Sequence, residues 1–226
     1  MRNPYEARRL GEKARETVQE KFPLSRFLQS WSKVIEKSVL EFLERTGINL
    51  KNSAQPFEEK VRKNILMDFV SYPATTAYYL ERAFRQKHNV LTCGSQINDH
   101  VIKAWNLENL KWEITPQDIH RSNATSLQQV MEELPDGWKP DFYLWVETGL
   151  SDIPADLSKH GLPKVCYLID SHIHFDKHFE VAKNFDFVFL AQKAFVQPML
   201  HAGIKNVMWL PLACDPEIHG KIEVGK

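Results

Sequence analysis

The residues Asp170-Ser171-His172-Ile173-His174-Phe175-Asp176-Lys177-His178 place three imidazoles and two carboxylates within nine positions. Imidazole gives and takes a proton near neutral pH, and a neighbouring carboxylate can orient the ring or raise its basicity. This pattern suits acid/base work or substrate contact. His172 is the first candidate base, with Asp170 as its orienting partner and Ser171 and His174 as candidate substrate contacts. A second reading is metallic. In an extended segment alternate side chains point the same way, so His172, His174 and Asp170 would form a candidate metal centre for a metal-dependent hydrolase. A solvated polar turn with no chemistry of its own is the third reading.

The cluster directly follows an apolar run, Lys164-Val165-Cys166-Tyr167-Leu168-Ile169. Similar runs stand at 65–70, 88–93, 141–147, 185–191 and 206–211, with a weaker one at 111–115. Helical spacing fills the stretches 74–87, 124–134, 153–160, 175–183 and 194–202. Strands that are apolar on both faces belong in a buried parallel sheet, and strand-helix alternation predicts right-handed crossovers. The expected fold class is therefore α/β, a doubly wound parallel sheet. In such sheets ligands bind beyond the carboxyl ends of the strands. That rule adds Glu147, Gln192 and Asp215 to the candidate substrate contacts. Glu147 could accept hydrogen bonds from a sugar hydroxyl, or serve as a helix cap or loop ion pair.

The sheet region is expected over residues 62–217, with 218–226 beginning a connection onward. Ahead of it, residues 1–47 read as a two-helix segment. Leu10, Ala14, Val18 and Phe22 recur at helical spacing in the first helix. Ser25 suits the N-cap of the second, whose stripe is Phe27, Trp31, Val34, Ile35, Val39 and Phe42. Residues 48–61 are polar, contain Pro56, and read as a linker.

Composition narrows the class. Apolar residues make up 43% of the 226, enough for a sizeable core. The chain balances 29 basic against 29 acidic residues, so it lacks the cationic excess that non-specific nucleic-acid binding requires. No apolar run is long enough to span a membrane, and the charged start lacks a signal-peptide core, so a cytoplasmic location is expected. No two of the nine glycines form GxG, which removes the dinucleotide fingerprint and the Walker loop. Cys93, Cys166 and Cys214 form no CxxC pair and read as buried free thiols.

Three blocks carry a family likeness: Tyr167-Leu168-Ile169-Asp170-Ser171-His172, Phe185-Asp186-Phe187-Val188-Phe189-Leu190-Ala191-Gln192-Lys193 and Trp209-Leu210-Pro211-Leu212-Ala213-Cys214-Asp215-Pro216. From Lys139 to Glu217 the chain resembles the N-terminal half of spore-maturation CgeB-type glycosyltransferases. Residues 1–45, with Arg9-Leu10-Gly11-Glu12-Lys13-Ala14-Arg15, Phe22, Trp31 and Val34, are similar to the closing helices of a retaining-type transferase of the same two-domain build. The likeness implies a GT-B architecture in which this chain is the Rossmann-like, acceptor-side domain. It implies a nucleotide-sugar donor, no resident cofactor, and a sugar or glycan acceptor whose hydroxyl is deprotonated by Asp170, His172 or His174. It also implies a donor-binding domain missing after Lys226, without which the half-enzyme is expected to be inactive. A non-catalytic binding or scaffold module is the alternative outside enzymes.

Overall fold

The computed structural model describes residues 4–21, 62–73, 75–114, 116–213, 215, 218 and 219. The chain forms two compact units, residues 1–37 with 212–226, and residues 38–211. In the first, α1 (Pro4–Lys21) carries an Arg8–Glu12 pair one turn apart, and Leu10 is 57% exposed. The second predicted helix and the linker at 48–61 lie outside the described residues.

The second unit holds a seven-stranded, all-parallel sheet. Its strands are β1 (Asn64–Asp68), β2 (Asn89–Gly94), β3 (Ile119–His120), β4 (Phe142–Val146), β5 (Lys164–Leu168), β6 (Phe187–Leu190) and β7 (Val207–Trp209). They lie in the order β3-β2-β1-β4-β5-β6-β7. The helices are α2 (Thr76–Arg85), α3 (Asp99–Ala104), α4 (Leu127–Glu132), α5 (Phe175–Ala182) and α6 (Val196–His201). The chain runs outward from β1 to one edge, returns to the other side of β1, and runs outward again. This is the Rossmann-like doubly wound order, with its reversal between β1 and β4. Residues of β4 and β6 are buried without exception, and those of β5 are buried except Lys164, as a sheet covered on both faces requires.

One local device recurs at the amino ends of the strands. Asp141 and Asp186 each stand immediately before a strand. Each donates its N–H to the first carbonyl of the neighbouring strand, Asn64 and Lys164 respectively, at 2.8 and 2.9 Å. Each carboxylate then accepts that same residue's N–H, at 2.7 and 2.8 Å. The double contact sets register where the ladder begins. Asp118 does related work before β3, accepting from Thr92 N–H at 2.8 Å while its own N–H donates to Thr92 Oγ1 at 3.0 Å. Arg85 of α2 joins Asp118 to the buried Glu81, at 2.9 and 2.8 Å.

Asp118 also explains where the third strand lies. The apolar run at 111–115 predicts the third strand, but residues Glu108–Glu113 form a 3-10 helix and the strand is Ile119–His120. That strand is only two residues long, pairing Cys93 with Ile119 and Gly94 with His120. A polar clasp rather than an apolar run decides where it docks. The helix expected at 153–160 is likewise reduced to a 3-10 turn at Leu157–Lys159. Just before it, Asp156 accepts the Leu127 and Gln128 N–H groups at 2.7 and 3.0 Å. It thereby caps α4 beside the Ser126–Gln129 capping box. Cys93 and Cys166 are buried free thiols, while Cys214 lies outside the described residues.

A buried ion pair holds the centre of the carboxyl edge. Asp68 ends β1 with no exposed surface, and Arg121 follows β3 with 2% exposed. Arg121 Nη2 donates to Asp68 Oδ1 at 3.0 Å, and its Nε lies 2.6 Å from Oδ2. Tyr143 of β4 donates its hydroxyl to Asp68 Oδ2 at 2.5 Å. Arg121 also donates to the carbonyls of Asp152 and Ser122, at 3.0 and 3.3 Å. One guanidinium thus ties β1 to the loop after β4. Removing one partner of such a pair strands the other charge in the core. Arg121→Met should therefore cost about 3–5 kcal/mol in urea unfolding, and adding Asp68→Asn should recover part of that loss. A single variant within about 1 kcal/mol of wild type would contradict this account of the pair.

Candidate functional site

The switch between β1 and β4 opens because the two strands part at their carboxyl ends. Their last paired residues are Asp68 and Trp145. Beyond Asp68 the chain stays with β2: Phe69 N–H donates to Cys93 O, Ser71 N–H to Ser95 O, and Ile97 N–H to Ser71 O, at 2.9–3.1 Å. Beyond Val146 the chain stays with β5, and Glu147 N–H donates to Tyr167 O at 3.0 Å. Gly94 permits the first of these paths. Its φ is +144°, and a Cβ there would lie 1.9 Å from Phe69 O, so any side chain would push the extended strand away. The β1–α2 turn itself, Phe69-Val70-Ser71-Tyr72-Pro73, holds no glycine, and no phosphate-cradling loop of the dinucleotide type is present there.

Glu147 stands at the β4 side of this crevice. Its side chain is 11% exposed. Burial pushes its carboxyl above the usual range, and the negative charge of Asp170 adds to the effect. The Gly149 N–H opposes the rise, as does the electrostatic influence of His174 and Lys177. Gly149 reaches this position with φ +74°. Tyr72, from the β1 side, is half-buried; burial raises its pKa, and the charges of Glu147 and Asp170 raise it further. Tyr72 and Glu147 thus share the influence of Asp170, and Glu147 is also influenced by His174 and Lys177.

The β5 end is a turn. Asp170 takes the left-handed conformation with φ +61°, uncommon outside glycine but tolerated by aspartate. Its carbonyl accepts the N–H groups of Ile173 and His174, at 2.8 and 3.3 Å. That reversal launches α5, with His174 at the N-cap position. Residues 171–174 are thus a turn and not the extended segment on which the metal reading depends. No group of three His, Cys, Asp or Glu side chains among the described residues is placed to hold a metal ion. His172 is exposed, and no hydrogen bond joins it to Asp170 among the described residues. The expected orienting pair is therefore not assembled.

His178, which the cluster contains but to which the sequence assigns no role, is the organised histidine. It is 1% exposed. Its Nδ1 lies 3.0 Å from Ser171 Oγ, and its Nε2 lies 3.9 Å from Glu147 Oε2. Burial pushes its pKa down to about 4, and His174 and Lys177 push the same way while Asp170 opposes them. The ring is neutral at neutral pH. A tautomer that accepts from the Ser171 hydroxyl at Nδ1 carries its proton on Nε2, on the side of Glu147 but beyond hydrogen-bond distance from it. Ser171 is fully buried and Gln192 Oε1 accepts its N–H at 3.2 Å. These two candidate contacts support the turn rather than face a ligand. Asp215 belongs to the other unit, where its N–H donates to His219 Nδ1 at 3.0 Å.

The arrangement offers a largely buried carboxylate, a neutral imidazole behind it, and the exposed Lys177 nearby. A carboxylate of raised pKa can take a proton from a hydroxyl. No known protein family matches the chain, and no curated protein is significantly similar to it.

The depressed His178 pKa has a consequence for stability. An unfolded histidine titrates near 6.5, so between that pH and about 4 the unfolded chain binds more protons than the folded one. The stability from keeping His178 neutral is full above pH 6.5 and falls as pH drops through this window. Between pH 7 and 4.5, the loss should reach about 2–3 kcal/mol in urea titrations. His178→Gln should lack this component; an unchanged pH slope in that variant would refute the assignment.

Proposed function

We propose that this chain is the acceptor-side domain of a glycosyltransferase that uses a nucleotide-sugar donor, with Glu147 as the base that activates the acceptor hydroxyl. The observation that carries the reading is the place and state of Glu147, a largely buried carboxylate of raised pKa at the strand-order reversal. The absence of a glycine-rich β1 turn favours a hydroxyl-bearing ligand over a bound dinucleotide. The resemblance of the blocks at 167–172, 185–193 and 209–216 to CgeB-type transferases points the same way.

In this mechanism an acceptor hydroxyl donates a hydrogen bond to Glu147. As the acceptor oxygen attacks the anomeric carbon of the donor sugar, its proton passes to the carboxylate. The new C–O bond forms while the bond from the anomeric carbon to the phosphate oxygen breaks, and the nucleoside diphosphate leaves with the electron pair. Asp170 keeps Glu147 basic through its charge. His178 backs the carboxylate without neutralising it. A donor-binding domain would supply the nucleotide contacts.

The test has two parts. Saturation-transfer NMR on this chain should detect oligosaccharide binding, with affinity in Glu147→Gln within about threefold of wild type, since a threefold change is under 1 kcal/mol. In the protein joined to its donor-binding domain, Glu147→Gln should lower kcat by about 10²–10⁴, the usual worth of a general base. His172→Ala should lower it by less than about tenfold, as expected for an exposed side chain outside the proton path. Full turnover in Glu147→Gln would overturn the reading.

A further inference from the structure

Trp105 follows α3 and leaves 46% of its surface exposed. Its indole meets the Tyr72 ring edge to face, with centroids 6.1 Å apart and planes at 84°. The contact fixes the indole although no core covers it. Asn106, with φ +56°, ends the helix at once and holds the position. Tyr72 leaves the β1 side of the same crevice that Glu147 enters from β4. The aromatic pair therefore stands on the β1 side of the crevice, and the carboxylates Glu147 and Asp170 follow β4 and β5 on the other side. Binding sites pair apolar aromatic surface with a few placed polar groups. A pyranose ring has matching halves, an apolar C–H face and an edge of hydroxyls.

We infer that Trp105, braced by Tyr72, is a stacking platform that holds the sugar ring of the acceptor with its hydroxyl edge turned toward Glu147. This inference rests on the acceptor-side reading above and adds to it the substrate class, a pyranoside rather than a flexible polyol or an aliphatic alcohol. The energetic contribution is the burial of one C–H face against an indole that is already ordered, so little side-chain entropy is lost on binding. Tyr72 contributes by holding the indole and by closing the side of the crevice nearest β2. Trp209, also 42% exposed, serves as an internal control. It lies on β7 at the far edge of the sheet, where Lys193 Nζ stands 5.1 Å from its ring centre.

Intrinsic fluorescence and saturation-transfer NMR test the platform on the whole chain. A panel of methyl pyranosides and short oligosaccharides should bind with a change in tryptophan emission, and sugar C–H protons on one face should receive the strongest transfer. Trp105→Ala should weaken binding about tenfold and abolish the emission change, with Trp105→Phe intermediate. Trp209→Phe should retain both. Circular dichroism on each variant checks that the half-exposed Trp105 was removed without loss of fold. Saccharide binding that is unaffected in Trp105→Ala overturns the platform and leaves the acceptor-side reading standing. Binding by nucleotides alone, with their base on Trp105, also overturns it. No saccharide binding to the wild-type chain overturns both.

Discussion

The carboxyl edge of the sheet depends on one buried charge pair. Arg121 enters from the β3 end and must cross β2 to reach Asp68 on β1. The register places Cys93 and Gly94 between them, where side chains are small or missing. Burying two charges costs several kcal/mol per ion unless the geometry is good and the remaining hydrogen bonds are made. Here Tyr143 supplies a further donor to the carboxylate, and two backbone carbonyls take the far side of the guanidinium. The result links three strands and the loop that follows Glu147. An apolar substitute could fill the same volume, but it could not place that loop by hydrogen bonds.

Above this floor the site is arranged by differences in burial among similar groups. Glu147 is covered enough to be made more basic, whereas His178 is covered enough to be kept neutral. Were His178 charged, it would pair with Glu147 and lower the carboxylate's basicity. Its neutrality follows from its place on the inner face of α5, and from Lys177 and His174 beside it. The left-handed Asp170 is the hinge of this arrangement. It turns the chain sharply enough for Ser171 and His178, seven positions apart, to meet at 3.0 Å.

Much of the architecture can be read from the chain because six of the seven strands are apolar on both faces. The doubly wound class follows from those runs alone. The third strand escapes such a reading, since Asp118 and Thr92 fix it by polar contacts and only Ile119 of its two residues is buried. The same holds for the site. Glu147 is visible through the strand-end rule, which needs only the position of an apolar run. His172 attracts notice by its neighbours in sequence, yet a turn sends it outward. His178 becomes important only after the turn at Asp170 and the first helical turn are in place, and a turn of that kind leaves no apolar signature. Trp105 has no local signal at all, because its meaning depends on a ring brought from another strand end.

The order of the strands also governs how the crevice comes into being. β1 pairs first with β2, its neighbour in sequence, but the seam with β4 joins residues far apart; Tyr143 and Asp68 are separated by 75 positions. Closing so long a loop delays the gain from non-local contacts and slows folding. The first half of the sheet can therefore take shape while Asp68 still waits for its partner on β4. The crevice lies at this long-range seam, so it exists only where β1 and β4 have paired. An intact crevice is in this sense a report that both halves of the sheet have met.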